Sequence, residues 1–565
     1  MPRLRTERIA WLLPVVLLAT PMLLLSAGPD RPKPPAANEP SEPPEVTSII
    51  DRIIANELQM HNKMQEFSPR VETYLQYYKA DAEIGESAIS DDYFLGGLTF
   101  GKKGENKPVE ESFLPDTRSE WLRRLPSMLQ ERVPMDQFAV ESLVVDENSF
   151  DRQHYTFDPV RWEYLGDVRC LALDVHPRNP KAAGAFEGRI WVEDHDYAIV
   201  RLNGTRLNPR RWDYYTPFDC WRENLQPGLW LPVYIFSQVS DFRKHLRYRA
   251  ETRLWGYDLT ARHPQQDWTN ILVEAPEPVR DSTDAASDMS PVQSERQVTM
   301  DAERNVLDRL EKARFIAPPG PVDKVLETVV NNLVVTNHLD NLPPLHCRVM
   351  LTSTLESFSL AYTIVLSRGL LDVLPDEASL ATILAHELAK VASGQKLDAK
   401  YSFDHRMQIP DKELLAKLDV AREQRVEAMA DARGIELLKN SPYKDQLSKA
   451  GLFLRAAAAV APHVPCLFGP NLGNGLTAGK KGEIRMEALA SDAPPLNPTK
   501  VDQIAALPLG SRIQVNAWDG TVAFTTRKAV PLVDASEKMY FRVTPVIPYL
   551  RLYSPSPKTV STAAK

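Results

Sequence analysis

The chain has 565 residues, enough for two to four domains, and its 43% apolar content fills ordinary cores. A formal net charge of -8 argues against a general nucleic-acid binder, which needs a basic face. The four cysteines, Cys170, Cys220, Cys347 and Cys466, have neither CxxC nor zinc-ribbon spacing. They are free core thiols or form one disulfide, for which Cys170–Cys220 is the pairing to consider.

In chain order, Arg3, Arg5 and Arg8 precede an apolar run from Ile9 to Ser26. A basic start and such a run read as an export signal. Its length lies between a signal-peptide core and a membrane span. Ser26, Ala27 and Gly28 permit cleavage, and no lipobox cysteine stands nearby. Residues 1–28 are therefore expected to be a signal peptide or a membrane anchor. Either puts the bulk of the chain outside the cytoplasm, in a periplasm or anchored facing it. Residues 29–45, "PDRPKPPAANEPSEPPE", read as a stiff Pro-rich linker.

The stretch 46–262 reads as a helix followed by antiparallel strands. Ile49, Ile50, Ile53, Ile54 and Met60 recur at helical spacing behind a Thr47 or Ser48 cap. From about 150 to 260 the pattern turns to strands, with a hairpin over 188–204 turning at Glu193–Asp196. Large aromatics on adjacent strands suggest a curved sheet or part-barrel. Trp191, Trp230 and Trp255 read as core, and His176, His195 and His245 fit no metal spacing. Residues 263–300 read as a linker, polar and poor in bulky apolar side chains.

From 301 to 508 the chain is helix-rich. A helix is expected near 300–315 and another over 322–337, then two strands in "HCRVMLTST" and "LAYTIVLS". Residues 509–565 return to a short β-rich tail. The fold class is α+β, multidomain.

The chemistry concentrates in "PDEASLATILAHELAKV" (375–391). Asp376 and Glu377 suit a first helical turn, and no breaker follows Pro375. Leu380, Ile383, Leu384 and Leu388 form the expected buried stripe. His386 and Lys390 are four apart and emerge on one face. A zinc peptidase places two imidazoles at such positions, with the intervening glutamate beside the metal-bound water. In "REQRVEAMADARGIELLK", Glu427 and Asp431 are also four apart, among Ala428, Ala430 and Gly434. Ala385 and Ala389 offer small residues in return. Two helices meeting through them bring Glu427 to His386, and Asp431 to the outer nitrogen of a histidine.

"IVLSRGLLDVLPDEASLATILAHELAK" and "EAMADARGIELLKNSPYKDQL" resemble the HtpX-like and CAAX prenyl protease family of gluzincin metallopeptidases, over roughly residues 320–460. "KMYFRVTPVIP" near the C-terminus is similar to the tail of its exported bacterial members. The resemblance implies zinc as cofactor, His386 as first ligand, Glu387 as catalytic base, Glu427 as third ligand and Asp431 as orienting carboxylate. It also implies a protein or peptide as substrate or ligand. The middle region, with "FEGRIWVEDHDYAIVRLNG" and "ENLQPGLWLPVYIFS", resembles lipoprotein-carrier (LolA-like) sheets, which implies an acyl chain or lipoprotein as a further partner.

Lys390 stands where the family has its second zinc-binding histidine. A protonated lysine has no lone pair for a metal. Deprotonating it at neutral pH costs roughly 4.6 kcal/mol, from a reference pKa near 10.4. Three readings stand open. The Lys390 ammonium replaces zinc and neutralises Glu427 and Glu387. Alternatively, zinc binds weakly through His386, Glu427 and an extra ligand, His405 being the nearest spare histidine. Lastly, a neutral Lys390 ligates the metal, or the residue is a sequence error. The Gly-His that often follows the motif in the family is Gly394-Gln395 here. The chain therefore reads as an exported metalloendopeptidase-family protein with an impaired site. A fully active enzyme with an unusual ligand set and a lipid-handling protein are the alternatives.

Overall fold

The structure, a computed structural model, describes residues 44–82, 85–99, 109–114, 142–146, 149–207, 217–241, 246–258, 291–394, 423–477, 485–497, 511–525 and 541–554, with a few isolated positions between 415 and 420 and between 499 and 509. The expected export segment, nearly all of the Pro-rich linker, Gln395 and His405 lie outside these residues. Among the described residues no helix is long and apolar enough to cross a membrane.

The architecture is α+β, in keeping with the multidomain reading. Its largest part is a ten-stranded antiparallel sheet ordered β3-β2-β1-β10-β9-β8-β7-β6-β5-β4. The strands are β1 (Arg70–Asp81), β2 (Gly85–Thr99), β3 (Val109–Ser112), β4 (Tyr155–Leu165), β5 (Val168–Pro177), β6 (Phe186–Glu193), β7 (Ile199–Arg206), β8 (Phe218–Gln226), β9 (Leu229–Asp241) and β10 (Leu246–Trp255). From β4 to β10 the chain meanders. β1 then pairs with β10, Arg70 opposite Trp255, so the first strand closes onto the last. The 188–204 hairpin is present as β6 and β7, and Trp191, Trp230 and Trp255 are buried. None of the four cysteines forms a disulfide; Cys170 and Cys220 do not bridge.

Helix α1 (Pro44–Met64) starts before Thr47 and Ser48, so neither residue caps it. Ile50 and Ile53 are fully buried, and Glu57 enters a bidentate pair with Arg222 of β8 at 2.6 and 2.8 Å. Successive strand residues point to opposite faces, so Trp221 looks away from α1. Trp221, Tyr234, Arg253 and Glu72 are register partners on four adjacent strands and share that second face.

The helix-rich part packs against this second face. It comprises α2 (Pro291–Lys312), α3 (Pro321–Thr336), α4 (Arg368–Val373), α5 (Glu377–Ala392), α6 (Gln424–Lys439) and α7 (Leu447–Val460). α2 begins at Pro291, inside the stretch read as linker. A small sheet, ordered β11-β13-β12-β14, supports the helices. It contains β11 (His346–Met350), β12 (Glu356–Leu360), β13 (Thr363–Ser367) and β14 (Asn474–Gly475). The segment read as one strand, "LAYTIVLS" (360–367), contains β13 whole and only the last residue of β12, because Ala361 takes a left-handed φ of 49° and turns the chain between the two. Glu72 joins the two parts. Its carboxylate is 1% exposed and binds Ser353 Oγ at 2.7 Å and Arg368 Nη2 at 2.9 Å. Hydrophobic core runs without interruption from Tyr74, Leu95 and Trp255 to Leu384, Leu388 and Phe453.

In the tail, β15 (Ile513–Val515) pairs with β16 (Val522–Phe524) as a short hairpin, in keeping with the β-rich tail expected. Residues 541–554 form an extended strap over the sheet. Val543 N–H donates to Gln76 of β1 at 3.1 Å, Val546 N–H to the Tyr234 hydroxyl at 3.1 Å, and Leu550 C=O accepts from Asp167 N–H at 2.9 Å.

Candidate functional site

α5 starts cleanly. Asp376 is its N-cap, accepting from Ser379 N–H at 2.8 Å. The helix is buried almost all round, not along one stripe: from Ala378 to Val391 only Leu380 is partly exposed. His386, Glu387 and Lys390 are therefore carried into the interior. α6 crosses α5 closely through small residues. A Cβ on Gly434 would sit 3.2 Å from His386 N and 3.3 Å from Ala385 C, while Ala385, Ala389 and Ala430 are all buried.

This approach brings together all five residues singled out in the sequence. His386 Nε2 lies 2.8 Å from Glu427 Oε2, and Nδ1 lies 2.7 Å from Asp431 Oδ1. The Lys390 ammonium, 1% exposed, stands 3.0 Å from Glu387 Oε2 and 3.2 Å from Glu427 Oε1. Ser357 Oγ donates to Glu387 Oε1 at 2.6 Å.

Three further partners escaped sequence reading. Asn474 of β14 donates to Glu427 Oε1 at 3.1 Å. Arg485 Nη1 stands 3.1 Å from Glu427 Oε2 and 2.9 Å from His386 Nε2. Ser357, already noted, comes from β12. These residues sit on short or irregular segments with no periodic signal. Only their types, a cation and two small hydrogen-bonding residues, hinted at a role.

The electrostatics follow from this packing. Burial works against charge on His386, but the bonds to Asp431 and Glu427 outweigh it and raise its pKa. Burial likewise opposes ionisation of Glu427, yet the His386 bond and the Lys390 charge bring its pKa down to about 2. Glu387 is lowered too: burial is overcome by Lys390, then by His386 and the Ser357 bond. The carboxylates of Glu387, Glu427 and Asp431 thus face Lys390, Arg485 and the His386 ring.

This donor set does not fit zinc. Both oxygens of Glu427 are engaged, Oε1 by Lys390 and Asn474 and Oε2 by His386 and Arg485. A divalent ion there would meet two fixed cations and add two uncompensated charges to a buried pocket. Glu387 is fully buried, and the neighbouring cavity, bounded by Ser357, His386, Asp431, Asn474 and Arg485, is about 20 Å³, space for a single water. Elsewhere, ligand atoms of Glu193, Asp194 and His195 lie within 4.8 Å of one another in the β6–β7 turn. There the Glu193 carboxylate accepts from the backbone N–H groups of His195, Asp196 and Ala198, which explains the cluster as turn chemistry.

No family model matches the chain, and no curated protein does. Among solved structures, the chain is similar to a DUF1329 family protein from Desulfovibrio piger, at 11% identity and a TM-score of 0.20, over 37% of this chain and 90% of that one. At that score the likeness adds nothing to the reading of the site.

Proposed function

We propose that this chain is an exported, peptidase-like protein that binds polypeptide outside the cytoplasm without hydrolysing it. The observation that carries the non-catalytic part is the Lys390 ammonium, fully buried between Glu387 and Glu427 where a metal ion would be needed. The resemblance of residues 320–460 to gluzincin peptidases supports a polypeptide as ligand. The basic, apolar N-terminus supports export.

Metal analysis of the purified full chain tests the reading. Wild type is expected to hold no stoichiometric zinc and to bind an unfolded, fluorescently labelled polypeptide while leaving it intact. Lys390→His alone restores a lone pair but leaves Arg485 on Glu427. Zinc uptake is therefore expected only when Lys390→His is combined with Arg485→Ala. Cleavage by wild type that Glu387→Gln abolishes would overturn the proposal. A second reading, lipid or lipoprotein handling, draws on a cavity of about 400 Å³ against the large sheet.

A further inference from the structure

That cavity lies on the second face of the ten-stranded sheet, roofed by the β15–β16 hairpin and the C-terminal strap. Its volume falls within the roughly 300–1,000 Å³ typical of small-molecule sites. Trp255, Ile513 and Val546 are among its apolar walls, and Glu223, Arg253 and Arg368 are charged groups that reach it.

The charges around it do not balance. Arg368 is held by Glu72 at 2.9 Å and by Asp372 at 3.5 Å, and Arg253 pairs with Glu251. Those two guanidiniums already face three buried acids. Glu223 is a fourth carboxyl, and among the described residues no group donates a hydrogen bond to it. Burial pushes Glu223 up to about 7, with Arg253 only partly offsetting it, and burial raises Glu251 and Asp372 as well. At the mouth, Arg551 is mostly exposed and stands 3.9 Å from Asp167.

We propose that this cavity binds an apolar molecule carrying one protonated amine, whose ammonium is taken by the Glu223 carboxylate. The walls accept the hydrocarbon body by burial. The ammonium supplies the cation that the surrounding acids lack, while Trp255, Ile513 and Val546 take up the apolar body. A carboxylate-headed chain would instead bring another negative charge to the site. A metal ion is a poor alternative, because Glu223 alone offers it no ligand set.

Isothermal titration calorimetry on the full chain, at about pH 8 where Glu223 is ionised and an alkylamine protonated, compares octylamine, octanoate and octanol. Octylamine is expected to bind one-to-one and at least about tenfold more tightly than either. Glu223→Gln is expected to remove that preference, and Val546→Trp, which fills the cavity from the strap, to abolish binding. Octanoate binding as tightly as octylamine, an unchanged preference in Glu223→Gln, or no binding by any probe would each overturn the proposal. Should Glu223→Gln fail to fold, the wild-type ranking of the three probes and the Val546→Trp variant still decide it.

Discussion

Lys390 is the shared cation of the buried cluster. Its ammonium holds Glu387 and Glu427 apart in a place that no solvent reaches. Lys390→Met is of similar length but leaves two buried acids without their shared cation. The variant is expected to lose about 3–5 kcal/mol, read from urea unfolding. A loss below about 1 kcal/mol would mean that the cluster rearranges freely. Stability should also depend on pH in two limbs. The folded pKa of Glu427, about 2, lies below its ordinary 4.5, so its contribution is complete above about 4.5 and is lost as pH falls toward 2. That limb is worth on the order of 3 kcal/mol. The pKa of His386 is raised above 6.5, so its contribution is complete below 6.5 and is lost as pH climbs through the folded value. Unfolding curves from about pH 2 to about pH 9 check both signs. At this scale the sequence was informative wherever a spacing of four put two side chains on one helix face: His386 with Lys390, and Glu427 with Asp431. Arg485 and Asn474 lay hidden because they reach the cluster from segments whose path only the tertiary fold defines.

Among the elements, α5 does the most to place the chemistry, and its start is set by one side chain. Asp376→Ala removes the N-cap bond and is expected to lower stability by about 1 kcal/mol, measured as a shift in the unfolding midpoint. Because Asp376 is far from the acids, the polypeptide binding proposed above should be unchanged. The helices of the helix-rich part were legible from apolar spacing and capping residues. β1 and β2 were not. In β1 the residues from Val71 to Tyr78 are all buried, so the alternation that marks a half-exposed strand is missing. The break at Ala361 was equally silent, since alanine gives no advance sign of a left-handed turn.

Taken whole, the molecule is joined across long sequence distances: β1 to β10, Glu72 to Ser353 and Arg368, the strap to the sheet. The patterning of apolar residues along the chain pointed to the α+β class. No local pattern announces that the second sheet face would be shared between helices and a strap, because that depends on which distant segments find each other. Gly166 tests the strap's seating. It has φ +66° and no room for a side chain, as a Cβ there would lie 2.6 Å from both N and O of Leu550. Gly166→Ala should displace the strap, at a cost of about 1–3 kcal/mol, and hasten proteolysis within 541–554 while the sheet stays folded. Equal digestion rates would show that the strap is held elsewhere.

The order of synthesis gives that strap a further meaning. Chains are made from the N-terminus and fold as they emerge. The sheet is complete once β10 has left the ribosome, but its strap follows only after the whole helix-rich part. Until the strap arrives, and in any product truncated before residue 541, the Tyr234 hydroxyl and the Gln76 side chain lack the N–H groups of Val546 and Val543, and such stopped chains become natural marks for quality control.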